Sequence, residues 1–237
     1  PRARISTEIA SRDKHGVSFA VSQPLIDDRL FASAPGSWSE QDGFIDNIFT
    51  GGKEDDRQRR HVNLGVRWTP GASTDLVLRY ARQAYDDGAA QWGSPSARRQ
   101  TVASGTDSYN RSHGQSLSLN ASQELAPDLY LRSITAYNAF ADDVQQDTDF
   151  NPANLLYIRR DHTLRMLSQE FRLEGRLGSA DWLAGVYLDH GNNDLHTLSK
   201  RGLLFDDLRA DQRSATRALF SHWSVPLSDA WSIQMGG

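Results

Sequence analysis

The residues from Leu164 to His190, LRMLSQEFRLEGRLGSADWLAGVYLDH, constrain the fold more than any other stretch. In the first half Leu167, Phe171 and Leu173 share one parity, while Ser168, Glu170, Arg172 and Glu174 take the other. In the second half Trp182, Ala184, Val186 and Leu188 share a parity. Side chains alternate across a strand, so this is a period-two signal, and the polar Gly178-Ser179-Ala180-Asp181 between the halves predicts a hairpin turn. The arms are long for a soluble hairpin, whose strands usually run about five or six residues. An arm of about ten residues is the length of a tilted strand that crosses a membrane.

The same unit recurs along the chain. Strands are expected over 4–11, 17–22, 30–38, 61–68, 76–80, 116–123, 129–138 and 217–235, the last being a hairpin around 226–229. Pro35 interrupts the third and predicts a bulge or an early end there. Short turns fall at 23–28, 69–73, 126–128, 178–181 and 226–229. Between them lie polar stretches expected to be long loops: 43–60, 83–113, 141–161 and 191–213. A spacing of about 50 residues also suits a kelch blade, but that needs four short strands per repeat. Two long strands and one long loop per period fit an antiparallel up-and-down transmembrane β-barrel, here all-β with about 10–11 strands, short periplasmic turns and long extracellular loops. Trp68, Trp182, Trp223, Trp231 and Tyr130 all sit beside short turns, where an interfacial aromatic girdle would be.

Composition supports a wall rather than a packed core. Only 38% of the 237 residues are hydrophobic. No apolar run approaches the roughly 18 residues of a membrane helix, whereas a barrel's alternation keeps mean hydropathy low. The net charge of −4 gives no nucleic-acid footprint. The absence of cysteine removes disulfides and thiolate metal sites. The chain opens at Pro1 and closes in strand-like sequence at Gly237, so it is expected to be a fragment.

Three pieces of sequence resemble the barrel of a TonB-dependent outer-membrane receptor. Val21 to Leu30, VSQPLIDDRL, is similar to the family's early hairpin. Gly36 to Asn47, GSWSEQDGFIDN, is close to the segment that follows, and Val66-Arg67-Trp68-Thr69-Pro70 resembles the next strand end. Ser168 to Glu174 with Asp181 to Tyr187 is similar to a later hairpin of the family. The family barrel has 22 strands and an N-terminal plug with a TonB box, so the resemblance implies that residues 1–237 are a partial barrel domain without plug or C-terminal strands. It also implies an active transporter of the Gram-negative outer membrane, most often for ferric siderophores. Its partners would be TonB, the ligand, outer-membrane lipid and lipopolysaccharide, with no cofactor and no nucleic acid.

No catalytic set emerges, and the chain is not expected to be an enzyme. The seven histidines, His15, His61, His113, His162, His190, His196 and His222, lack metalloprotease spacing. His190 and His196 with Asp189 and Asp194 can be written as a metal site, though a solvated loop is the plainer reading. Asp142, Asp143, Asp147 and Asp149 form an acidic run without the glycine and terminal glutamate of a calcium loop. Arg159, Arg160, Arg67 and Arg79 could draw an anionic ligand, or sit in ladders with Asp and Glu. No residue is assigned a catalytic, metal, cofactor or ligand role from sequence. The rival classes are a passive or structural outer-membrane barrel and a soluble β-sandwich binding module.

Overall fold

The computed structural model describes residues 1–88 and 100–237, and those residues contain no helix. The strands are β1 (Arg2–Ala10), β2 (Lys14–Ile26), β3 (Leu30–Ser33), β4 (Gly36–Gln41), β5 (Asp46–Asn47), β6 (Arg57–Gly71), β7 (Thr74–Gly88), β8 (Thr101–Val102), β9 (Tyr109–Ala126), β10 (Leu129–Asp147), β11 (Leu156–Leu177), β12 (Ala180–Arg201), β13 (Leu204–Ser228) and β14 (Trp231–Gly236). Twelve of them form one sheet in the order β1-β2-β3-β6-β7-β9-β10-β11-β12-β13-β14, with β4 also between β2 and β6. Every pairing in it is antiparallel. This is the expected up-and-down wall. β3 and β4 share one strand position, broken at Ala34 and Pro35, because proline has no N–H to give the ladder.

Short turns line one end of the sheet. In the hairpin of β11 and β12, Leu177 pairs with Ala180 and Gly175 with Trp182. Gly178 takes φ +62°, the positive value that the first position of a two-residue hairpin loop requires.

The other end departs from expectation. The stretch 191–213 is not a loop. β12 and β13 stay paired up to Arg201 and Leu204 across a tight turn at Gly202, also at φ +62°. Most of 141–161 is strand as well, with Asp147 still opposite Tyr157. Ladder hydrogen bonds continue there, but polar residues occupy both faces, so the alternation of apolar residues and its periodic signal fade. The expected loop 83–113 also shrinks from both sides, since β7 runs to Gly88 and β9 starts at Tyr109; its part 89–99 lies outside the described residues.

The two faces differ in chemistry. On one, register rows carry Val66, Leu78 and Leu119; Leu64, Tyr80, Leu117, Tyr137 and Leu167; and Trp68, Leu76, Phe171 and Val186. On the other lie Arg79, Ser118, Ala136, Ser168 and Asp189. The apolar face is uncovered: Leu64 is 46% exposed and Leu167 54%. Val102 is the only buried hydrophobic side chain among the described residues. Trp68, Trp182, Trp223 and Trp231 all belong to this face near the short turns. Tyr130 does not; it pairs with Glu124 and Glu174 on the polar face, so it leaves the girdle.

Candidate functional site

Among the described residues the buried side chains other than Val102 are polar, and they gather at the end away from the short turns. Asn47, Asp55, Ser104, Thr106, Ser108, Ser112, Asp142 and Asp147 are the buried polar groups. Three connecting segments, 42–56, 100–108 and 148–155, tie into one knot there. β5 and β8 pair in parallel, Asp46 beside Thr101 and Asn47 beside Val102.

Asn47 is its centre. Its amide nitrogen donates to the Ser104 carbonyl at 2.8 Å and to the Glu54 carboxylate. Its oxygen accepts from the Phe49 and Thr50 amides at 2.9 and 3.2 Å, an Asx turn that projects Ile48 and Phe49 into solvent. Asp147 anchors the third segment. One oxygen accepts from Ser104 Oγ at 2.7 Å, the other from the Asp149 and Phe150 amides at 2.9 and 2.6 Å. Asp55 Oδ1 accepts from the Phe44 and Ile45 amides at 2.6 and 2.7 Å. A Cβ on Gly43 would lie 2.3 Å from that same oxygen, so the position requires glycine. The segment from Gly43 to Asn47, one of the three that carried the resemblance, thus supplies the knot's tight approach and its central amide.

Below the knot, on the polar face, a recess of about 420 Å³ is lined by Asp55, Arg57, Asp87, Asn110, Gln146 and Arg160, among others. Its charges are mixed. Arg160 reaches Asp142 at 2.6 Å and Arg59 reaches Asp87 at 3.1 Å. Asp55 Oδ2 and Asp87 Oδ1 are buried without a hydrogen-bond partner. Burial pushes the Glu54 carboxyl above its ordinary range; Asn47 opposes this, and the charges of Asp147, Asp107 and Asp55 add to it. Asp56 is raised mainly by burial too, with Asp86, Asp87 and Asp55 contributing.

The sequence candidates scatter. His190 and His196 share a face, but six residues of strand separate them by roughly 20 Å. Asp189 lies on the opposite face from His190. His196 instead meets Asp207 at 2.9 Å. The acidic run also divides: Asp142 takes Arg160 and Ser112, Asp143 lies 3.6 Å from Arg159, and Asp147 enters the knot. No group of three His, Asp or Glu among the described residues could hold a metal ion. Arg67 pairs with Asp75 at 2.9 Å, as in a ladder, whereas Arg79 makes no ion pair among the described residues. Sequence reasoning passed over Asn47, Ser104 and Ser108; the Gly-bearing segment ending in Asn47 was the one signal that could have found them.

No family model matches the sequence. Solved structures do. The ferric yersiniabactin uptake receptor of Yersinia pestis superposes with a TM-score of 0.84 at 19% identity, over 99% of this chain and 38% of the receptor. The chain has the fold of that receptor's barrel wall. The ferric-catecholate import receptor of E. coli gives a TM-score of 0.74 at 13% identity, over 99% of this chain and 43% of its own. The pyoverdine outer-membrane receptor of Pseudomonas aeruginosa gives 0.74 at 11% identity, over the whole of this chain and 40% of its own. The resemblance to a TonB-dependent receptor barrel therefore holds for the fold, and the chain spans about two fifths of the structures it matches.

Proposed function

We propose that residues 1–237 are part of the barrel domain of a TonB-dependent transporter of the Gram-negative outer membrane. One observation carries this: a wall whose apolar side chains face outward with nothing packed on them. A leucine-sized side chain left in water forgoes about 1.5–3 kcal/mol. A few such losses match the roughly 5–15 kcal/mol by which a domain is stable. Acyl chains remove that cost, and the aromatic row of Trp68, Trp182, Trp223 and Trp231 suits the interface at the short-turn, periplasmic rim. A soluble sandwich would cover the same face with a second sheet.

In this reading the polar face lines the lumen and the knot stands at the extracellular rim. The knot and the recess below it are where a ligand would first meet this wall. The cargo of the whole protein is a ferric siderophore or a comparable scarce chelate, and TonB supplies the energy. The wall itself does no covalent chemistry. Iron-starved cells carrying the intact gene should take up ferric siderophore, and should stop when TonB is deleted. Uptake that persists without TonB would mark a passive pore. An intact protein that folds in water without detergent would overturn the membrane reading.

A further inference from the structure

Two carboxylates beneath the knot are each held by one oxygen only. In Asp55, 4% exposed, Oδ1 is fixed by the Phe44 and Ile45 amides, while Oδ2 is buried without a hydrogen-bond partner. In Asp87 the Oδ2 atom is tied to Arg59 at 3.1 Å, while Oδ1 is buried without a partner. Both residues line the recess of about 420 Å³ on the polar face. Buried acceptors are costly to leave unpaired, so each carboxylate keeps one oxygen for a donor that the fold does not supply.

Charge decides what kind of donor. Of the three arginines that line the recess, Arg59 is paired with Asp87 and Arg160 with Asp142. Arg57 is left over, against two lining carboxylates, Asp55 and Asp56, that make no ion pair among the described residues. The surplus is negative. Asp56 registers it: its carboxyl is raised first by burial, with the charges of Asp86, Asp87 and Asp55 adding to that. A metal ion does not answer this surplus, because no three acidic or histidine groups among the described residues converge closely enough to hold one. A neutral hydroxyl would satisfy an oxygen and leave the charge. An ammonium group carries three donors and a positive charge on one nitrogen, and its hydrogen bonds to carboxylates are charge-assisted.

We propose that this recess binds the ammonium group of an aminated cargo, with Asp56 and Asp87 taking its charge and Asp55 Oδ2 as a further acceptor. The inference rests on the transporter reading above and narrows it to a cargo with a free amine. Arg57, opposite Asp87 across β6 and β7, is the side chain that gives way, since it has no ion pair to lose. The acceptors themselves are set in advance. Two backbone amides hold Asp55, and Arg59 holds Asp87, so little ordering is left to binding.

The test uses the intact protein that carries this chain, in detergent micelles, with heat-modifiable gel mobility as the check on folding. Two probes differ in one group: a linear ferric trihydroxamate ending in a primary amine, and the same chelate N-acetylated. Isothermal titration at neutral pH reads both. The wild-type protein should bind the aminated chelate tighter by about tenfold or more. Asp56→Asn with Asp87→Asn should abolish that preference. Asp75→Asn, at the short-turn end beside Arg67, should keep it in full. Should the double variant not fold, Asp56→Asn alone, at an exposed position, gives the same reading at smaller size. Equal binding of the two chelates by the wild type, or an undiminished preference in the folded variant, overturns this inference and leaves the transporter reading standing. So does displacement of the aminated chelate by calcium at constant ionic strength, which would make the recess a metal-ion site. A folded protein that binds neither chelate overturns this inference together with the cargo reading beneath it.

Discussion

Thr135 donates its hydroxyl hydrogen to the side-chain oxygen of Gln169 at 2.5 Å, across β10 and β11, in the middle of the apolar face. Their row neighbours are Leu119 and Leu188. The Gln169 amide then donates to Ser133 Oγ at 2.9 Å and to the Glu170 carbonyl at 3.1 Å. Thr135, Gln169 and Ser133 thus partner one another within the band, the condition under which lipid tolerates polar groups. Gln169→Leu removes the acceptor of Thr135 and should cost about 1–3 kcal/mol. Adding Thr135→Val should recover most of that loss, since both partners are then apolar. Urea unfolding in lipid vesicles measures it. A single variant with no cost would place this face in water.

Trp182 and Trp223 stack across β12 and β13 with ring centroids 6.0 Å apart and planes 26° from parallel. Gly175, opposite Trp182, leaves room for the ring. A Cβ there would lie 3.1 Å from Trp182 Cζ2 and 3.1 Å from the Asp128 carbonyl. Gly175→Ala should therefore shift the Trp182 ring and weaken the near-ultraviolet circular dichroism of the pair, at a cost of about 1–3 kcal/mol. An unchanged spectrum would show that the ring gives way freely.

The strands and their faces were legible where apolar and polar residues alternate along the chain. Val62, Leu64, Val66 and Trp68 alternate strictly, and so do Leu117 and Leu119 with Ser116, Ser118 and Asn120. The break at Pro35 was legible because proline's missing N–H is a local fact. The ends of β12 and β13 were not. From Asn192 to Arg201 and back to Arg213 the ladder continues with polar residues on both faces, so no alternation marks it. Tyr130 was misplaced because nearness to a turn fixes height on a strand and leaves the face open. The knot was hidden for a different reason. Asn47, Ser104 and Asp147 are far apart in sequence, and it is the pairing of β5 with β8 that brings the first two within reach of each other.

Asp147 and Asp143 are near neighbours in sequence with opposite expected sensitivities. Asp147, 2% exposed, serves Ser104 Oγ and two backbone amides; Asp147→Ala should remove the acceptor of the Asp149 and Phe150 amides, at about 1–3 kcal/mol each before relaxation, while Ser104 Oγ keeps the Thr106 carbonyl at 3.0 Å. Asp143 meets Arg159 at 3.6 Å in a half-exposed pair, and Asp143→Ala should cost no more than about 1 kcal/mol. Amide exchange at Phe150 and Ser104 in the intact protein should rise sharply for the first variant and little for the second. Equal effects would mean that the knot is not a cooperative unit.

The knot also carries a pH dependence whose sign follows from Glu54 and Asp56. Both carboxyls are raised by burial and by neighbouring acids from ordinary values of 4.5 and 3.8. Between those values and the raised ones, the folded knot binds more protons than the opened one. Its stability is therefore full below the ordinary values and falls as pH rises through the raised ones, the reverse of a carboxylate held by an arginine. Glu54→Gln removes one titrating group and keeps an acceptor for the Asn47 amide. The variant should flatten the profile and make the knot more stable than wild type at neutral pH. Local opening free energies from amide exchange at Phe49 and Thr50, corrected for intrinsic rates, read this directly. A wild-type knot that tightens as pH rises above 5 would contradict the assigned direction.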